Sequence, residues 1–141
     1  MPDDHAILPV GKLPPALLAE IIGHAPVADH RVFLKAGAGL DCAVVAVGGR
    51  LLVFKSDPVT FATDEIGWYL VQVNANDLAT TGAIPRWLML TMLLPEGRTT
   101  PALARQWSSQ VYDACRELHI DVIGAILKSL TDSCGRSCPA R

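Results

Sequence analysis

A long apolar segment of the chain carries three polar residues at its centre. Residues 67–87 have the composition of an apolar helix that closes at Gly82, yet Asn74, Asn76 and Asp77 stand in its middle. Asn and Asp are poor residues inside a helix, because their side chains compete for backbone hydrogen bonds. A carboxylate among apolar residues is costly unless it is paired or binds a metal. The segment therefore indicates a functional site, and an N-cap or a buried hydrogen bond to a neighbouring loop is the equally weighted alternative.

Composition limits the classes of protein to consider. The chain has 141 residues, which suits one domain, and 50% of them are hydrophobic, which is enough for a sizeable core. The net charge of −2 gives no reason to expect nucleic acid or a membrane as a partner. No apolar run reaches the length of a membrane span, and the acidic start lacks the basic and apolar regions of a signal peptide. We therefore expect a cytoplasmic protein.

The four cysteines do not point to disulfide bonds. Cys42 falls in a predicted strand and Cys115 in a predicted helix, where both are interpreted as small buried hydrophobic residues. Cys134 and Cys138 lie close together near the end of the chain. With only His119 nearby and no second cysteine pair, they give weak support for a zinc site.

Apolar runs separated by Gly, Pro and capping residues predict a mixed fold. In chain order the predicted elements are a helix at 16–22, strands at 42–47 and 51–55 around a Gly48-Gly49 turn, a helix from Thr63 or Asp64 to Gly82, a strand at 87–94, a helix from Thr99 or Thr100 to about Leu118, and a strand at 120–123. The predicted fold class is therefore α/β (α+β), a mixed β-sheet with helices on one face.

Three acids fall beside or within these elements. Asp41 precedes the first strand of the hairpin, after a glycine loop at 37–39, and Asp57 follows the second strand, so that the two lie side by side. Asp77 is the acid inside the long helix. Carboxylates on loops suit Mg²⁺, which takes a few carboxylates together with water and substrate phosphates, and glycine loops let backbone N–H groups approach a phosphate. Each acid alone fits an ordinary turn residue, but their convergence favours a site.

The same residues carry a resemblance to a known family. The chain resembles the N-terminal domain of the AIR synthase (aminoimidazole ribonucleotide synthetase) superfamily, which includes thiamine-monophosphate kinase, selenophosphate synthetase and the hydrogenase-maturation dehydratase. The resemblance extends roughly from Lys35 to Gly124. Its matching pieces are Gly37-Ala38-Gly39-Leu40-Asp41-Cys42-Ala43-Val44, Ser56-Asp57-Pro58, Val73-Asn74-Ala75-Asn76-Asp77-Leu78-Ala79 and Gly82-Ala83-Ile84-Pro85.

The resemblance implies an enzyme that transfers the γ-phosphoryl group of ATP to a small-molecule substrate, chiefly by positioning and charge neutralisation. It also implies a homodimer, in which the sheets of two N-terminal domains pair into a barrel. Residue by residue, it implies that Asp41, Asp57 and Asp77 bind Mg²⁺. The nucleotide-binding residues that it implies are Gly37, Gly39, Asn76 and Asp77. No residue is assigned a catalytic role.

The chain departs from the family pattern in two ways. The glycine loop of the family usually carries a pair of acids, and Leu40 stands in place of the first of them, which removes one expected metal ligand. The family also has a C-terminal domain of similar size that completes the substrate site, and this chain ends before it. We therefore expect a truncated N-terminal domain that is inactive alone, and the sequence leaves its substrate open.

The sequence after Gly124 suggests a reason for the second departure. Relatives continue with another Gly and a trio such as His-Thr-Glu, whereas this chain continues with Ala125-Ile126-Leu127-Lys128. Allowed codons for 124–132, with one G restored, encode Gly-Gly-His-Thr-Glu-Val-Thr-Asp-Gly. We therefore predict that 1–124 is the family domain and that 125–141 is a divergent tail, put out of frame by a one-base deletion. A natural divergent tail is the alternative.

Two other classes of function remain open. The chain is either a non-catalytic dimerising or nucleotide-binding module, or a structural α/β domain in which internal hydrogen bonds satisfy Asp77. Metal-dependent binding of ATP separates the enzyme domain and the binding module from the structural domain. Turnover of ATP then separates the enzyme domain from the binding module.

Overall fold

The computed structural model describes residues 7–59 and 64–130, which contain helices and strands. In chain order they are α1 (Pro15–Gly23), β1 (Val32–Leu34), β2 (Ala43–Val47), β3 (Arg50–Phe54), α2 (Ile66–Thr80), β4 (Trp87–Pro95), α3 (Pro101–Glu117) and β5 (Asp121–Leu130). The predicted mixed α/β class is confirmed. Contacts divide the chain after Lys55 into two units, and the strands form two sheets.

The first unit contains a three-stranded antiparallel sheet in the order β1-β2-β3. Gly48 and Gly49 connect β2 to β3 with φ angles of 54° and 76°, which is the left-handed backbone that a tight hairpin turn requires. The predicted hairpin is therefore confirmed. The third strand, β1, was not predicted, because its three residues are too few to show the alternation of a strand.

The second unit contains a βαβ arrangement. β4 and β5 run parallel, from the pair Trp87 and Asp121 to the pair Pro95 and Leu130, and α3 connects them as parallel strands require. Along β4, alternate side chains are buried and pack against α3 and α2. The core of this unit consists of Val71, Leu90, Met92, Leu94, Val111, Ala114 and Cys115.

Helices α2 and α3 lie in close contact at Gly67. A β-carbon built on Gly67 would lie 2.6 Å from the backbone oxygen of Trp107 and 2.9 Å from the backbone nitrogen of Val111. Only a residue without a side chain fits at this distance. The backbone of α3 thus packs directly against the backbone of α2 at Gly67. This contact holds the start of α2 against α3.

Gln110 of α3 replaces the missing cap at the start of α2. Glu65, the N-cap residue, makes no side-chain capping hydrogen bond. Instead the Gln110 side-chain oxygen accepts from the Gly67 N–H at 3.1 Å, and the Gln110 amide nitrogen donates to the Asp64 carbonyl at 2.6 Å. One side chain therefore satisfies two backbone groups of a helix terminus that would otherwise need water or a local cap.

Replacing Gln110 with Ala should lower the free energy of unfolding by about 1–2 kcal/mol, the usual effect of losing a cap. Denaturant unfolding followed by circular dichroism measures the loss. Gln106→Ala is the matched control, since Gln106 lies one turn earlier on α3 and is exposed. Equal midpoints for the two variants would show that Gln110 does not cap α2.

Several predicted boundaries need correction. The last strand was predicted to end near Gly124, but β5 continues to Leu130, because its pairing with β4 continues that far. The long helix starts at Ile66, later than the predicted Asp64; the other predicted start, Thr63, lies outside the described residues, as do 131–141 of the predicted tail. The Thr100 cap is confirmed, since its hydroxyl accepts from the Leu103 N–H at 3.1 Å.

The cysteine predictions are confirmed where they can be checked. Cys42 and Cys115 are both buried, and burial raises the pKa of the Cys115 thiol. Cys134 and Cys138 lie outside the described residues. Among the described helices, none combines the length and the hydropathy needed to cross a bilayer. The cytoplasmic location stays a prediction.

Candidate functional site

The side chain of Asn74 attaches Asp57 to helix α2. The Asn74 side-chain oxygen accepts from the Asp57 N–H at 3.1 Å, and its amide nitrogen donates to the Asp57 carbonyl at 3.3 Å. The same nitrogen donates to the carbonyl of Leu70, one turn earlier on α2, at 2.9 Å. Asp57, which follows β3 in the sequence, is thereby held at the middle of the helix that carries Asp77.

Asp77 lies on the same side of α2 as Asn74. Residues three apart on a helix are neighbours, with β-carbons about 5–6 Å apart. Asp77 is half-buried and Asp57 is exposed. Within the second unit, the backbone of Asp57 and the residue Asp77 therefore lie near the same face of α2.

Asn76, the predicted nucleotide-binding amide, occupies a different side of α2. It follows Asn74 by two positions, which turns it ~200° around the helix, and it is exposed. Asn74, which was not predicted as a site residue, is the amide that makes the contact with Asp57. The role of Asn76 stays a prediction.

The glycine loop of the first unit forms a tight turn before Asp41. The Leu40 N–H donates to the Gly37 carbonyl at 3.1 Å, and Gly39 has a φ of +80°, which favours glycine at that position of the turn. Leu40 is 48% exposed, so its side chain is not part of a buried core. The loop therefore has the backbone that its glycines predict.

Asp41 faces a lysine that the sequence analysis missed. The Lys55 ammonium lies 3.8 Å from the Asp41 carboxylate, and the Lys55 side chain is 6% exposed whereas that of Asp41 is 75% exposed. An ammonium beside a carboxylate competes with a metal for its charge, but it also attracts phosphate. Asp41 belongs to the first unit and Asp57 and Asp77 to the second, so the three-acid cluster stays a prediction.

The chemistry of the second unit fits a magnesium–phosphate complex. Mg²⁺ is usually held by one or two carboxylates together with water and phosphate oxygens, and Asp57 and Asp77 offer two carboxylates on an accessible side of α2. Within the described part of either unit, no three His, Cys, Asp or Glu side chains are grouped so that they hold a metal by themselves. Asp57 and Asp77 could hold such a metal only together with water and phosphate oxygens.

A comparison with protein families identifies the class of protein. Residues 39–137 match the family of AIR synthase related proteins, N-terminal domain. Because the match covers most of the chain, the chain belongs to this family, and the resemblance read from the sequence is confirmed. The matched range extends past Gly124, where the sequence analysis ended the resemblance.

Two known proteins are similar to this chain, one in sequence and one in structure. A putative hydrogenase expression/formation protein of Methanocaldococcus jannaschii is 36% identical over an alignment of 73 positions, and the match covers 45% of this chain and 22% of that protein. The structure of AaThiL complexed with AMPPCP and TMP matches with a TM-score of 0.59 at 22% identity, over 66% of this chain and 32% of that one. This chain spans about a third or less of each protein, and the structural match shows that the fold is shared.

Proposed function

We propose that the chain is the nucleotide-binding N-terminal domain of an AIR synthase-like enzyme that transfers a phosphoryl group from ATP to a small molecule. Asp57 and Asp77 bind Mg²⁺, and the metal in turn binds the phosphates. The attachment of Asp57 to α2, one turn from Asp77, is the observation that carries the proposal. The ATP analogue in the AaThiL complex supports a nucleotide as the ligand.

Four further residues remain expectations of the family resemblance. It implies a carboxylate for Mg²⁺ from Asp41, backbone N–H groups for phosphate from Gly37 and Gly39, and a hydrogen bond to the nucleotide from Asn76. The metal supplies the charge that neutralises the phosphates during transfer. Since the carboxylates alone would repel a triphosphate, the proposal requires that ATP bind only together with a divalent cation.

Replacing Asp57 or Asp77 with Asn should each weaken the binding of ATP with Mg²⁺ by at least about tenfold, since even groups that only support a metal ligand contribute that much. Titration calorimetry of the wild-type chain and the variants, with and without Mg²⁺, measures the affinities. Asp113→Asn is the matched control, because Asp113 is an exposed acid of α3. Equal affinities in all four proteins, or binding of ATP without Mg²⁺, would refute the site.

We also propose that a second copy of the chain covers the outer face of the β4–β5 sheet. Met89 and Leu93 on β4 are 80% and 54% exposed, and Ile126, which pairs with Thr91, is 55% exposed. Contiguous apolar surface of this kind is rare on monomers and marks interaction sites. The family resemblance supports a homodimer built from this sheet.

Replacing Ile126 with Asp should convert the dimer to a monomer, because the charge would be buried unpaired in the apolar interface. Sedimentation velocity at micromolar concentration measures the change. Gln106→Asp places the same charge on an exposed position of α3 and should leave the dimer intact. A wild-type chain that sediments as a folded monomer would contradict the proposal.

A further inference from the structure

We propose that Asn74 is a positioning residue of the metal–nucleotide site, which acts through Asp57 and does not itself contact the ligand. The inference rests on the proposed function. Asn74 is part of the polar group at the centre of α2, for which the sequence offered either a functional site or a hydrogen bond to a neighbouring loop. Its contacts with the backbone of Asp57 are such a hydrogen bond, and they connect it to a proposed metal ligand.

The carboxamide of Asn74 is already engaged on both sides. A side-chain amide has two N–H donors and one oxygen acceptor. The nitrogen donates to the carbonyls of Leu70 and Asp57, at 2.9 and 3.3 Å, and the oxygen accepts from the Asp57 N–H at 3.1 Å. Both donors are therefore used, which leaves no N–H of Asn74 for a phosphate.

The two contacts with Asp57 fix the direction of its side chain. The N–H and the carbonyl of Asp57 lie on either side of its α-carbon, so holding both restrains φ and ψ at that residue. The bond from the α-carbon to the β-carbon then has one direction relative to α2. Asn74 thereby sets the direction in which the Asp57 side chain leaves the backbone, next to the face of α2 that also carries Asp77 one turn further on.

This role makes a specific prediction for a variant of equal size. Asn74→Asp keeps an acceptor for the Asp57 N–H but loses both donors, and its carboxylate faces the carbonyls of Leu70 and Asp57. Asn74→Ala removes the contacts altogether. Both variants should bind ATP with Mn²⁺ about tenfold or more weakly than the wild type, the range found for residues that orient metal ligands. Gln72→Ala, on the same helix, should bind as the wild type does.

A double-mutant cycle separates positioning from general structural support. If Asn74 acts through Asp57, Asn74→Ala should weaken Mn²⁺–ATP binding in the wild-type background and have no further effect in the Asp57→Asn background. Electron paramagnetic resonance of Mn²⁺ with ATP and the full chain measures each affinity. A residue that merely stabilises α2 would weaken binding equally in both backgrounds.

The possible results distinguish the inference from the function on which it rests. If the wild-type chain binds no Mn²⁺–ATP, the proposed function and the inference both fail. If the wild type binds and Asp57→Asn weakens binding, but Asn74→Ala has no effect or the same effect in both backgrounds, only the inference fails. Loss of binding confined to the background with Asp57 intact supports both.

Discussion

The Val111→Asp variant should fail to fold its second unit at neutral pH. Val111 is fully buried at 0% exposure in the core formed by α2, α3 and β4. An unpaired carboxylate in such a place costs several kcal/mol. That is a large part of the roughly 5–15 kcal/mol by which a typical domain is stable. Circular dichroism and thermal unfolding measure the loss.

The same variant has an expected pH dependence. Burial favours the neutral acid, so the introduced carboxyl group would have a higher pKa in the folded than in the unfolded state. The loss of stability relative to the wild type should therefore shrink as the pH falls toward the ordinary aspartate pKa of about 3.9. Gln106→Asp, which adds the same charge to an exposed position of α3, is the control. Equal unfolding of the two variants at neutral pH would contradict the described core.

The second large effect is expected for Gly67→Ala. The added methyl group would lie 2.6 Å from the Trp107 oxygen and 2.7 Å from the β-carbon of Gln110, so α2 and α3 must move apart. Overpacking of this kind costs about 1–3 kcal/mol, more than the roughly 1 kcal/mol that Ala gains over Gly within a helix. The separation also strains the hydrogen bond from the Gly67 N–H to Gln110.

A second helical glycine provides the control for Gly67. Gly23 ends α1, and apart from its chain neighbours and the backbone of its own helix, no atom lies within 4 Å of a β-carbon built on it. Gly23→Ala should therefore be neutral or slightly stabilising, whereas Gly67→Ala should lower the midpoint of thermal unfolding by several degrees. Similar midpoints for the two variants would show that the helices do not meet as closely as described.

Local sequence predicted those parts of the fold that local residues determine. Gly48 and Gly49 form the hairpin turn because glycine adopts positive φ freely, and Thr100 caps α3 with its own hydroxyl group. The start of α2 was placed too early, because its cap comes from Gln110, a residue distant in the sequence. The end of β5 was placed too early as well, because its pairing with the full length of β4 determines it.

The site shows the same division between local and distant information. Asp57 and Asp77 were predicted from residue types, from their positions at the ends or centre of elements, and from the family resemblance. Asn74 was not assigned to the site, although a hydrogen bond from its segment to a neighbouring loop was one of the two interpretations. The particular partner could not be predicted, because it is the backbone of Asp57 and any residue type supplies the same backbone groups. Lys55 was missed because a lysine at the end of a strand predicts a side chain exposed to solvent, whereas the Lys55 side chain is only 6% exposed.

Paramagnetic relaxation by Mn²⁺ tests most directly whether the acids of the second unit bind a metal–nucleotide complex. In nuclear magnetic resonance spectra of the ¹⁵N-labelled chain with ATP, a small amount of Mn²⁺ broadens the amide signals that lie near the metal. We expect the signals of Asp57 and Asp77 to broaden first, only when ATP is present, and to recover when excess Mg²⁺ is added. If Mn²⁺ broadens other signals but leaves those of Asp57 and Asp77 unchanged, or broadens these two equally without ATP, the proposed site is contradicted.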